Sequence, residues 1–185
     1  MSHLDGEALL RWFLEHGGSA NGVPSDPGAP LRRARTPAMA ALLLKHGATL
    51  RYTSALHAAT LRDSDSEAIP LMQFLLENVV DIDELQYEGR HNRPREAGSN
   101  DHGTALHVAA KEGSVERARM LAESGADMGK RSKNGFTARD GAQLREKDEV
   151  KLFLEGCMRE KGLEVKELIE EDYNDEYGDG IRNVR

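Results

Sequence analysis

The 185-residue chain has one cysteine, Cys157, so no disulfide can form within it. Such usage fits a reducing compartment. Aromatic residues are scarce, with four Phe, four Tyr and one Trp. The core is therefore expected to be aliphatic and rich in alanine, which suits closely packed helices. No apolar run approaches the roughly 18–20 residues that cross a bilayer. Met1–Glu7 carries no basic segment ahead of an apolar one, as a signal peptide would. The expected location is intracellular, cytoplasmic or nuclear, with no membrane partner. Long basic runs are also missing. Arg32, Arg33 and Arg35 form the densest basic cluster in a chain of net charge −7, which argues against nucleic acid as a partner. The negative charge is uneven: residues 158–185 hold nine acidic and five basic residues.

The chemistry of catalysis is equally sparse. The sequence shows no nucleophile elbow, no phosphate-binding glycine loop, no G-x-G-x-x-G after a strand and no paired metal ligands. Cys157 has no nearby His and reads as a packing residue. Asp172, Asn174 and Glu176 loosely match a calcium loop, but the glycine is misplaced and no Glu closes it. The chain is expected to be no enzyme, with no catalytic residue, metal, cofactor or small-molecule substrate.

What is present is a repeat. Thr104-Ala105-Leu106-His107-Val108-Ala109-Ala110 is echoed upstream by Ser54-Ala55-Leu56-His57-Ala58-Ala59-Thr60 and downstream by Thr137-Ala138-Arg139-Asp140-Gly141-Ala142. Thr104 and Thr137 lie 33 residues apart, and Ser54 precedes Thr104 by one such period plus 17 residues. A second element recurs, an apolar stripe ending in glycine: Leu14-Glu15-His16-Gly17, Leu44-Lys45-His46-Gly47 and Ala122-Glu123-Ser124-Gly125. A fixed period of this length signals a stacked repeat architecture.

Elementary rules explain the residue types. Ser54, Thr104 and Thr137 can each cap a helix by accepting from a free first-turn amide. Leu56 and Leu106 then point inward beside alanines that permit close approach. Gly113 breaks the first helix, and Gly125 can end the second in the left-handed conformation. The stretch Gly103–Asp127, with its T-x-L-H-x-A-A run, its turn glycine and its closing Gly-Ala-Asp, resembles an ankyrin repeat. The resemblance covers roughly residues 5–157. It implies an all-α fold, an ankyrin-repeat solenoid of stacked helix-turn-helix units joined by hairpin loops. It also implies that His57 and His107 are structural, tying each repeat to its neighbour.

The expected organisation is an array over residues 1–157, followed by residues 158–185 as a short capping helix and an acidic tail. The array has about four units after an N-terminal half unit, a helix capped by Asp5 that is apolar on more than one face. The second unit is shortened, with Pro37 opening its second helix. In the third, the second helix is expected near Ile69–Asn78, and since Val79 would resist positive φ, either Asn78 takes that conformation or the turn differs. A polar insertion follows at 84–101, expected to be a mobile finger. The fifth unit places Arg139 where the core Leu belongs, as an end unit with an uncovered polar face would.

The resemblance further implies a concave protein-binding face. Carried over position by position, it comprises Leu61, Arg62, Lys111, Glu112, Leu144 and Arg145 on first helices, with Tyr52, His102 and Phe136 at hairpin tips. Arg131 is a weaker tip candidate. The expected function is an adaptor or scaffold that binds an unidentified protein as a monomer. Charge reversal at Lys111 with Arg145 would weaken that binding. A second possibility is a regulatory fragment of a larger multidomain protein, inert alone, which an exposed apolar face on Leu9–Leu14 would favour. The acidic tail could also fold back on basic residues of the concave face.

Overall fold

The computed structural model describes residues 6–23, 29–51, 53–78, 80–86 and 102–166. Among these, nine helices form two rows. The inner row is α2 (Ala29–Arg33), α4 (Ala55–Thr60), α6 (Ala105–Glu112) and α8 (Ala138–Leu144). The outer row is α1 (Gly6–Glu15), α3 (Pro37–Lys45), α5 (Asp65–Glu77), α7 (Val115–Glu123) and α9 (Asp148–Glu160). Each inner helix packs on the outer helix that follows it, and each helix packs on the next in its own row. This is the stacked helix-turn-helix solenoid that the repeat implies.

The short inner helices exist because the chain cuts and caps them. α6 starts at Thr104, whose amide donates to His107 Nδ1 at 3.0 Å. α8 starts at Thr137, whose hydroxyl accepts from the Asp140 amide while Asp140 accepts from the Thr137 amide at 2.9 Å. The two reciprocal pairs form capping boxes, with His in one copy and Asp in the other. α3 opens as the sequence suggests, with Pro37 in its first turn and the Thr36 hydroxyl accepting from the Met39 amide. Gly113 (φ 81) ends α6, and Gly125 (φ 95) follows α7. An L side chain there would be strained.

The core is aliphatic. Leu56, Leu71, Met72, Leu75, Leu106, Leu121, Val150 and Leu154 are buried, together with Ala59, Ala109, Ala110 and Ala118. Each large aliphatic side chain contributes about 1.5–3 kcal/mol on leaving water.

Several expectations change. Ser54 stands at the N-cap of α4 but has φ 53 and makes no side-chain cap bond. The neighbouring Thr53 hydroxyl accepts from the Ala55 amide instead. α5 begins at Asp65, four residues before Ile69, because Ser64 at the N-cap leads directly into acidic first-turn residues that suit the positive helix end. Of the two options at the end of α5, Asn78 has φ −93, so the turn differs from the left-handed one. Glu84 is buried, and the Gln86 amide donates to the Gly103 carbonyl at 2.9 Å. The start of the expected insertion thus belongs to the packed array, and residues 87–101 lie outside the described residues. A boundary after residue 157 would fall inside α9. Beyond it, residues 163–166 are not helical, and Val165 packs against the core.

Arg139 is the largest correction. Far from facing water, it is 1% exposed. Its Nε and Nη2 reach Glu155 Oε1 at 3.0 and 2.7 Å, and Nη1 reaches Gln143 and the Lys166 carbonyl. A buried guanidinium is tolerable only with its donors satisfied, and the chain after α9 folds over it to do so.

Candidate protein-binding surface

The residues expected on the binding face separate into three groups. Tyr52 lies outside the described residues, as do the expected helix cap Asp5 and the tail from residue 167, neither of which is assigned to this face. His102 is buried rather than a tip, and its carbonyl accepts from the Lys133 amide at 3.4 Å. Phe136 is half-buried, and its carbonyl accepts from the Ser132 amide and faces His107 Nε2. The turn of that hairpin is formed by Lys133 and Asn134 with Gly135 at φ 81. Arg131, the weaker tip candidate, is exposed and donates from Nη1 to the Gly135 carbonyl.

Leu61, Arg62 and Glu112 do come together. They follow or end α4 and α6, on the edge where each inner helix turns into its outer partner. There they line an open groove of about 570 Å³ with Asp63, Asp65, Gly113, Ser114, Val115, Glu116, Arg117 and Glu149. Lys111, Leu144 and Arg145 lie outside that lining. Lys111 is half-buried and lays its stem beside Gly141 on the next inner helix.

The electrostatics of the groove follow from which charges are already held. Arg117 is buried on α7. Its Nε donates to Asp65 Oδ1 at 2.7 Å and its Nη1 to the Thr60 carbonyl at 2.6 Å. The Ser114 hydroxyl donates to the same Asp65 oxygen. Arg62 donates to the Ala34 carbonyl of the preceding unit. Both arginines therefore turn into the array. Asp63, Glu112, Glu116 and Glu149 have no ion-pair partner among the described residues. The groove is acidic, with exposed Leu61 and half-buried Val115 as its apolar contacts. The sequence reading included Glu112 but missed Arg117, Asp63, Glu116 and Glu149. Their signal was the pair of polar turns after Thr60 and Glu112, each leading into an acidic first turn.

The histidines have structural partners. His107 Nε2 faces the Phe136 carbonyl at 2.9 Å, and His57 Nε2 faces the Gly103 carbonyl at 3.0 Å. Each bond spans from an inner helix to the loop before the next. Burial pushes His57 down to about 4, so the ring is neutral near pH 7. The outer loops are tied as well: Asp83 Oδ1 accepts from the Asp127 amide at 3.0 Å, and burial raises the Asp83 carboxyl despite that bond.

A family model for ankyrin repeats matches residues 35–132, as three copies. The chain belongs to the ankyrin-repeat family. Ankyrin repeats are protein–protein interaction modules, a scaffold whose surface residues choose the partner. The chain is also similar to the potassium channel AKT1 of Oryza sativa subsp. indica and to that of subsp. japonica. Each is 39% identical over 71 residues, 38% of this chain and 7% of the channel. The match thus covers a small part of each channel.

Among the described residues, no three His, Cys, Asp or Glu side chains lie close enough to hold a metal. No described helix is long and apolar enough to cross a membrane. Burial raises the Cys157 thiol, which disfavours the thiolate that a nucleophile needs. Cys157 lines a second groove of about 520 Å³ between α7 and α9, where Arg119 stacks over Phe153 at 4.9 Å.

Proposed function

We propose that this ankyrin array is an adaptor whose inner-to-outer turn edge binds a basic segment of a partner protein. The groove carries the reading. Four carboxylates, Asp63, Glu112, Glu116 and Glu149, line it without cationic partners, beside exposed Leu61. Unpaired like charges lining one cleft raise the local concentration of an oppositely charged chain. Leu61 and Val115 supply contact area for one apolar side chain of that segment.

The test is fluorescence anisotropy at low salt with two labelled nonapeptide pools, one Arg/Lys-rich and one Glu-rich, each with a central Leu. The basic pool binds preferentially, and Glu112→Lys with Glu149→Lys removes that preference. Equal binding of both pools, or binding indifferent to the double reversal, would overturn the reading.

A second reading, a regulatory part of a larger assembly, is favoured by α1. Leu9, Trp12 and Phe13 are 54%, 58% and 48% exposed, an apolar face at i, i+3 and i+4. A face of this kind suits a neighbouring helix. Crosslinking in a full-length context, with Trp12 replaced by a photoreactive analogue, tests it: capture of a helical neighbour supports the reading, and its absence opposes it.

A further inference from the structure

Two inner helices of the same array begin differently although the same residue types stand at the same spacing. At α6, Thr104 is extended (φ −81, ψ 176). Its amide and hydroxyl lie 3.0 and 2.9 Å from His107 Nδ1. Because Nε2 of that ring faces a carbonyl, Nε2 carries the proton and Nδ1 accepts. At α4, Ser54 and His57 hold the matching positions, and His57 Nε2 likewise faces a carbonyl. There the box is open. Ser54 sits at φ 53, and its amide donates to Glu84 Oε1 at 3.3 Å. His57, 2% exposed, leaves its accepting Nδ1 without a partner.

Both features cost free energy. A non-glycine residue in the left-handed region is strained, and a buried acceptor left bare carries its desolvation penalty. One movement relieves both: rotation of Ser54 to negative φ, which carries its amide to His57 Nδ1 as Thr104 does for His107. Glu84 holds the amide away from that position. It does so from the neck that leads into residues 87–101, a neck closed two residues later by the Gln86 amide on the Gly103 carbonyl. That carbonyl is the one His57 Nε2 also holds.

We propose that Glu84 and His57 are alternative acceptors for the Ser54 amide, and that the neck is a two-position latch on the start of α4. In the closed position, seen here, Glu84 holds Ser54 in the left-handed conformation. In the open position Glu84 withdraws, Ser54 becomes extended, and the capping box with His57 closes. Displacement of the neck is thereby transmitted to α4, which Leu61 follows directly. The latch does not depend on what occupies the groove.

The experiment is ¹⁵N NMR of the histidine rings in the full chain, with His57 and His107 assigned by His57→Gln and His107→Gln. In the unmodified protein, His57 Nδ1 resonates as a bare pyridine-type nitrogen, downfield of the hydrogen-bonded Nδ1 of His107. In Glu84→Ala it moves upfield to the His107 position, and the Ser54 backbone shifts change from left-handed to extended. Ser54→Thr provides a second route, since a β-branched residue resists positive φ, and it gives the same upfield shift with Glu84 intact. If Glu84→Ala does not fold, Ser54→Thr decides alone. A His57 Nδ1 resonance that stays downfield in every folded variant overturns the latch.

Discussion

Arg117 on α7 and Asp65 on α5 meet at 2.7 Å across two repeat units, and the same guanidinium reaches the Thr60 carbonyl at the end of α4. One side chain thus joins the outer helix of the central unit to both helices of the unit before it. Asp65 is half-exposed, so the ion pair itself contributes little. The buried carbonyl is what makes the arginine costly to remove. Arg117→Met keeps the aliphatic stem but strands Thr60, and should destabilise by about 1–3 kcal/mol. Asp65→Asn should cost less. Urea unfolding of the two variants checks the order.

Arg139 and Glu155 should behave as a unit. Truncating Glu155 alone leaves the buried guanidinium with the longer carboxylate contact, to Asp140 Oδ1 at 3.6 Å, at a cost of about 3–5 kcal/mol. Arg139→Leu with Glu155→Leu should recover most of that loss, because a leucine at 139 is what the repeat pattern carries there. A double-mutant cycle by thermal or urea unfolding measures the coupling. Additive effects would contradict the buried pairing.

Acid should weaken the array through His57. Its folded value is about 4, below the roughly 6.5 of an unfolded chain. Below pH 6.5 the unfolded state takes up the proton first. Stability is therefore complete above pH 6.5, falls between 6.5 and 4, and levels off below 4 for this group. The full effect is on the order of 3 kcal/mol. His57→Gln, whose amide can still donate to the Gly103 carbonyl, should flatten this part of the stability profile measured by urea titration at several pH values.

Charge reversal separates the groove from residues outside its lining. Glu112→Lys with Glu149→Lys should abolish selection of basic peptides. Lys111→Glu with Arg145→Glu should leave that selection in place, since neither residue lines the groove. All four residues are exposed or half-buried, so each variant should unfold within about 0.5 kcal/mol of the unmodified protein. Anisotropy and urea unfolding on the same samples distinguish binding from stability.

The array was legible in the sequence wherever one residue type has one conformational use. Thr104, Leu106, His107, Gly113 and Gly125 stand where the repeat pattern puts them because cap, core and left-handed turn each admit few alternatives. Legibility failed where a distant residue decides the local conformation. Ser54 has a cap's chemistry, but Glu84, thirty residues on, takes its amide. Arg139 has a surface residue's charge, but Glu155 and the chain at Lys166 enclose it. His102 sits in a hairpin by spacing, yet it is buried. The groove was half visible: Leu61, Arg62 and Glu112 follow from helix ends, whereas the inward turn of Arg62 and Arg117, which leaves the carboxylates unbalanced, needed the packing.

α1 has a consequence for how the array comes apart. Every other outer helix is backed by an inner partner in its own unit, while α1 packs on α3 with none among the described residues. In a chain whose units touch only their nearest neighbours, stability is close to a sum over units and the junctions between them. The unit with the fewest junctions melts first. Amide exchange should therefore be fastest in α1, slower through α3, and slowest at α6, which is sandwiched between α4 and α8 and sealed by its own capping box. Unravelling would begin at Trp12 and run inward, halting at the Arg117 crosspiece.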